Sequence, residues 1–142
     1  MRVSIELARR AEAAGEVPVG AVAVAKGVVV GRGFNSPIRL ADPTAHAEIL
    51  ALREAAQALA NYRLEGVTLY ATLEPCAMCA GALVAARVKR LVFGARDLRF
   101  GAVRSKFRVA DSELLNHRVE IVEGVLAAEC AELMKAFFSA RR

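Results

Sequence analysis

Val67-Thr-Leu-Tyr-Ala-Thr72, then Pro75-Cys-Ala-Met-Cys79, then Arg90-Leu-Val-Phe-Gly94: these three runs decide the fold class. The first is rich in β-branched and aromatic residues and reads as a strand. Pro75 suits the first turn of a helix, predicted to reach about Ala86. The third run is a short apolar strand closed by glycine. Outward from this unit the alternation continues. Helical residues fill Arg2 to Ala14, and Gly15 suits the helix end. Gly20–Ala25 and Val28–Val30 flank Lys26-Gly27 and read as a hairpin. Asn35-Ser36-Pro37 breaks the chain into a loop. Asp42-Pro43-Thr44 reads as a helix start, with the helix running to about Leu59. Arg118–Val122 alternates as a strand, and from Leu126 apolar residues recur at Cys130, Leu133, Met134, Phe137 and Phe138 in a helical stripe. The expectation is one α/β domain over residues 1–142, with a mixed five-stranded sheet and helices on both faces.

The chain has 142 residues, 56% hydrophobic and 25% charged, the composition of a globular protein and not of a disordered or fibrous one. No apolar run reaches membrane-spanning length, and charges interrupt the first residues, so no secretory pattern is read. A cytoplasmic enzyme with no membrane partner is expected. The net charge is +5, but unevenly spread. Arg87, Lys89, Arg90, Arg96, Arg99, Arg104, Lys106 and Arg108 are interrupted by one acid, Asp97. That segment carries +7, which points to a polyanionic partner or to a solvated basic face.

Three cysteines, Cys76, Cys79 and Cys130, make a disulfide scaffold improbable. Cys76 and Cys79 are spaced to grip one ion from the start of a helix, where negative charge is favoured. His46-Ala47-Glu48 also sits at a predicted helix start. His46 and Glu48 are two apart and do not share a helix face, but both can bend over the helix end. A metal between two converging helix starts follows. His46, Cys76 and Cys79 give three protein ligands, and a catalytic zinc keeps its fourth position for water. The metal acidifies that water, and Glu48, not a ligand, is the candidate to move its proton. The alternatives are a closed structural site, with His117 or Cys130 as fourth ligand, and a metal-free redox Cys-x-x-Cys.

His46-x-Glu48 followed by Pro75-Cys76-x-x-Cys79 resembles the zinc cytidine/deoxycytidylate deaminase superfamily. Glu16–Val22, Asp42–Glu48, Thr72–Cys79, Phe93–Asp97 and Asn116–Arg118 together resemble, more narrowly, the bacterial tRNA-specific adenosine deaminases. The resemblance spans most of the chain. It implies a three-layer α/β/α cytidine-deaminase-like fold, one Zn²⁺ per subunit and no organic cofactor. It implies a homodimer acting on a tRNA anticodon stem-loop. The reaction it implies is hydrolytic deamination of the wobble adenosine to inosine, usually in an arginine tRNA. It makes Asn35 a contact to the base edge, with the backbone N–H of Ala47 a second candidate.

The loop after Phe93 is expected to hold neighbouring nucleotides, its cations, Arg96 among them, suiting phosphates. Asp97 is read as an acceptor for a ribose 2′-hydroxyl or as a salt-bridge partner of Arg96 or Arg99. Phe100, Phe107 and Phe138 are candidates to stack on bases or to pack on protein. The rival within enzymes is a deaminase of a free base, nucleoside or nucleotide. The rival outside them is a nucleic-acid-binding module with a structural zinc.

Overall fold

In the computed structural model, which describes residues 1–142, Lys26 and Gly27 both take positive φ, 51° and 75°. That is the geometry of a two-residue hairpin turn, matched to the twist of the strands it joins. The turn links β1 (Gly20–Ala25) to β2 (Val28–Phe34). With β3 (Thr68–Leu73), β4 (Arg90–Ala95) and β5 (Glu120–Glu123), these form one sheet in the order β2-β1-β3-β4-β5. β1 is antiparallel to both neighbours, whereas β3, β4 and β5 run parallel. The sheet is therefore mixed, as the hairpin required.

The helices are α1 (Arg2–Ala13), α2 (Pro37–Leu40), α3 (Ala47–Leu59), α4 (Ala77–Ala85) and α5 (Ala127–Ser139). Glycines in the strands show where helices press closest. A side chain at Gly20 would overlap the backbone of Ser4 and Ala8 in α1, and one at Gly31 or Gly33 the backbone of Ala51 or Ala47 in α3. Gly20 pairs with Phe34 and Ala21 with Gly33. Because alternate residues point to opposite faces, α1 and α3 cover opposite sides. α5 lies beside α1, and α4 beside α3. This is a three-layer α/β/α arrangement. The main core fills the α3–α4 side, where Ala21, Ala23, Leu69, Ala71, Leu91 and Phe93 meet Ala47, Ala51, Ala55, Ala80 and Leu83. No helix is long and apolar enough to cross a membrane.

Several boundaries differ from expectation. α3 starts at Ala47, not at Asp42. The Asp42 carboxylate accepts hydrogen bonds from the Thr44 N–H and hydroxyl, so the acid closes a local turn before the helix. α4 starts at Ala77, two residues after Pro75. Pro37 begins a single helical turn inside the segment expected to be loop. β2 extends through Arg32 to Phe34, past the apolar run, because Gly31 and Gly33 serve the approach of α3. β5 begins at Glu120 and is largely exposed at the sheet edge.

Candidate metal centre and the cavity above it

Both chemistry-bearing helices begin at the same point. His46 is the N-cap residue of α3 and Cys76 that of α4. Each has extended backbone, and neither caps its helix by a side-chain hydrogen bond. The side chains are turned toward each other instead. His46 Nδ1 stands 3.6 Å from Cys76 Sγ and 3.5 Å from Cys79 Sγ. A tetrahedral zinc with ordinary bonds, about 2.0–2.1 Å to nitrogen and about 2.3 Å to sulfur, separates such atoms by about 3.5 Å. The spacing fits one ion, and the three residues form a group that could hold a metal, with no fourth side chain in it. The candidates for closing it lie elsewhere: His117 Nε2 is 2.7 Å from the Val88 carbonyl oxygen, and Cys130, on α5, packs against Gly94 of β4.

The thiols and the imidazole are tuned by one another. The neighbouring Cys79 thiol, with His46, lowers Cys76 to about 4 despite its burial. Cys79 is pushed up, by its bond to Cys76 and by burial. The hydrogen bond to Cys76 raises His46. A divalent ion held by such thiols displaces their protons. Glu48 is 4% exposed. Burial raises its carboxyl above the usual carboxylate range, while the adjacent Cys79 thiol partly opposes that shift.

Above the trio opens a cavity of about 400 Å³, within the usual size range of ligand pockets. Its walls come from one end of the sheet. Val17 and Val19 precede β1, Asn35 follows β2, Leu73 and Glu74 close β3, and Asp97, Arg99 and Phe100 follow β4. Met134 and Phe138 reach over from α5. This is the carboxyl end of the parallel strands, where open α/β sheets place their ligands.

The Asn35 Oδ1 accepts the Ala47 N–H at 2.9 Å. That bond fixes the amide, so its NH₂ is the free end. It also occupies the Ala47 N–H, which is therefore not the free donor expected from the sequence. Asp97 makes no salt bridge with Arg96 or Arg99. Its Oδ1 accepts the backbone N–H groups of Arg99 and Phe100, so it caps the turn that carries them. Arg96 is outside the cavity, its guanidinium forked onto Glu123 at 2.8 and 3.0 Å. Phe138 is 42% exposed and lines the cavity, while its neighbour Phe137 is buried. Phe100 lines the cavity with Arg99 over its ring, and Phe107 lines none.

Glu74 is the residue the sequence reading missed. It is 2% exposed. Its carboxylate accepts N–H groups from Asp97, Val103, Arg104 and Ser105, and the Ser105 hydroxyl. Burial alone would raise its pKa, but these donors outweigh burial and hold it below the usual range. Gly101 passes so close that a side chain there would strike the carboxyl. One buried anion therefore shapes the whole loop after β4. Its place directly before Pro75-Cys76 was the only available signal.

The family model described as MafB19-like deaminase matches residues 1–142. The tRNA-specific adenosine deaminase of Haemophilus influenzae is 53% identical over 143 residues, covering 100% of this chain and 83% of that protein. That of Bacillus subtilis is 46% identical, covering 97% and 86%. A solved structure from a study of A-to-I editing by tRNA:A34 deaminases at the wobble position of transfer RNA superposes with a TM-score of 0.91 at 44% identity. It covers 94% of this chain and 96% of that one. A guanine deaminase from Nitrosomonas europaea superposes at 0.83 with 27% identity, covering 97% and 82%.

Proposed function

The chain belongs to the tRNA-specific adenosine deaminases, within the family described as MafB19-like deaminase, and on that premise we propose how its residues convert adenosine to inosine in tRNA. The substrate is the wobble adenosine of an anticodon stem-loop, and the isoacceptor that family membership favours is an arginine tRNA. An anticodon loop is partly unstacked, so drawing one base into the cavity costs less than it would in a duplex. Val17, Val19, Leu73, Met134 and Phe138 supply apolar walls around the base and exclude bulk water. The Asn35 NH₂, held by the Ala47 bond, donates to an acceptor nitrogen of the purine edge.

His46, Cys76 and Cys79 are the residues that would hold zinc. When bound there, zinc supplies an open coordination position and the Lewis acidity that makes water reactive near neutral pH. Glu48 moves the protons. Its carboxylate takes one from the attacking water and passes it to ring N1, then takes the second from the new hydroxyl at C6 and delivers it to the amine, which leaves as ammonia as the C–N bond breaks and the carbonyl forms. Burial suits this work, because it raises the affinity of the carboxyl for the proton it must take up. Asp97, fixed by Glu74, keeps one carboxylate oxygen for a ribose hydroxyl of the bound strand. Phe100 and Phe138 stack on bases flanking the site.

A homodimer acts as the unit. Ile49, Leu52, Ala56, Leu64, Ala82 and Ala85 of the α3–α4 face line an apolar hollow open to solvent, with Tyr62 76% exposed beside it. Such a patch marks an interface in an otherwise charged surface.

The observation that carries the reading is the trio spaced for one ion, with Glu48 beside it and outside it, at the floor of a cavity. Incubation with total tRNA, followed by sequencing for inosine, tests it. Inosine at the wobble position is expected. Parallel arms with free adenosine, cytidine and guanine address the rival to which the guanine deaminase structure points. Release of ammonia from those alone would overturn the RNA reading.

A further inference from the structure

Another concavity follows the free edge of β2, next to the metal cavity. Phe34 lines it, while the next residue, Asn35, lines the cavity over the metal trio. It measures about 460 Å³, with Arg10 of α1, Arg32 of β2, Arg39 of α2 and Arg53 of α3 around it. Glu54 is its only carboxylate. Arg53 is paired with Asp42 at 3.6 Å. Arg10, Arg32 and Arg39 have no carboxylate within 4.0 Å. Arg10 and Arg39 are held by neutral groups instead. The Arg10 and Arg39 guanidinium carbons each lie 5.2 Å from the centre of the Phe34 ring, and Arg39 donates to Ser36 Oγ at 3.1 Å.

The basic stretch from Arg87 to Arg108 is different. Arg90, Arg96 and Arg104 are neutralised by Glu120, Glu123 and Asp111. Three of its eight cations are therefore paired, and the β2 edge is a separate place where arginines without a carboxylate converge around a concavity, apart from the one lined by Arg99, Lys135 and Arg142. Like charges converging without counter-charge oppose the compact state, and guanidinium forks match phosphate oxygens in shape and charge.

We propose that this groove is a subsite for the phosphodiester backbone of the bound RNA, gripping the anticodon stem-loop apart from the edited base. The proposal rests on the tRNA reading above. Asn35 and Phe34 are consecutive, so a strand with one base over the metal trio runs its backbone across α2 into the groove. Contacts to phosphate fix position and register without reading sequence, so the subsite adds affinity for stem-bearing RNA and none for the isolated base.

The test compares the wild type, the Arg32→Ala/Arg39→Ala double variant and the control Arg2→Ala, whose arginine faces Glu129 on the far side of α1. Deamination of an anticodon stem-loop RNA is followed against salt concentration, beside a short loop oligonucleotide lacking the stem. The double variant is expected to raise KM for the stem-loop, with kcat at saturation retained. Its slope of log(kcat/KM) against log salt should flatten by about 1.5, the share of two phosphate contacts. On the short oligonucleotide it should match the wild type, and Arg2→Ala should match throughout. An unchanged slope, or an equal loss on both RNAs, overturns the proposal. Should the double variant fold poorly, Arg32→Gln, exposed on the edge strand, is expected to flatten the slope by about half as much; no change overturns the proposal too. If the wild type edits no RNA at all, the tRNA reading fails and takes the subsite with it. If it edits normally and the variants follow its salt dependence, the subsite alone falls.

Discussion

In the proposed reaction the chemistry turns on Glu48 and Asn35, and each can be altered without touching the three candidate ligands. Glu48→Gln keeps size and burial but cannot shuttle a proton. Deamination is expected to fall by about 10²–10⁴-fold, while zinc content by elemental analysis stays that of the wild type. Asn35→Asp separates recognition from folding. A carboxylate there still accepts the Ala47 N–H and sits favourably at the start of α3, so thermal unfolding should be no easier. It turns an acceptor toward the purine nitrogens instead of a donor, and KM for the stem-loop should rise. The ligand trio was legible in the sequence because metal chemistry needs those residue types at short spacing. The occupied Ala47 N–H was not, since its partner lies twelve residues away and nothing local announces it.

At the level of elements, the helix starts were the least readable boundaries, for a physical reason. A reader of sequence looks for Ser, Thr, Asp or Asn at the N-cap. In α3 and α4 those positions hold His46 and Cys76, so function has displaced the signal. The loop after β4 hid its organiser likewise. Glu74 draws on donors 23 to 31 residues away, and a carboxylate beside a proline looks like an ordinary turn residue. Glu74→Gln sets an NH₂ against backbone N–H donors and should destabilise the fold by about 2 kcal/mol and raise KM for RNA. The pH dependence has a definite sign. The folded-state pKa is lowered, so the carboxylate stabilises the fold above its unfolded value of about 4.3 and loses that contribution as pH falls. Urea unfolding across the acid range should show a shallower loss of stability in the variant than in the wild type.

For the whole molecule, strand and helix alternation gave the layers and the mixed sheet, because each apolar run must bury one face. At this scale charge density along the chain differs from charge density in space. The partners of Arg90, Arg96 and Arg104 lie beyond the counted stretch, and the open cationic groove is assembled from residues scattered between Arg10 and Arg53. The apolar α3–α4 hollow makes a similar demand on assembly. Ala85→Glu, on an exposed position of α4, is expected to shift sedimentation from dimer toward monomer with the circular dichroism of the fold intact. A last consequence belongs to the ligands that stand where caps should be. With zinc held as proposed, the two helices would share one fastening, the ion. Chelation should therefore fray both ends at once. Amide hydrogens at Glu48–Leu50 and Met78–Ala80 would exchange faster together, while those of β3 and β4 keep their protection. In that sense the cation would be a common lid-pin for two rods, its loss felt first by the backbone that begins at it.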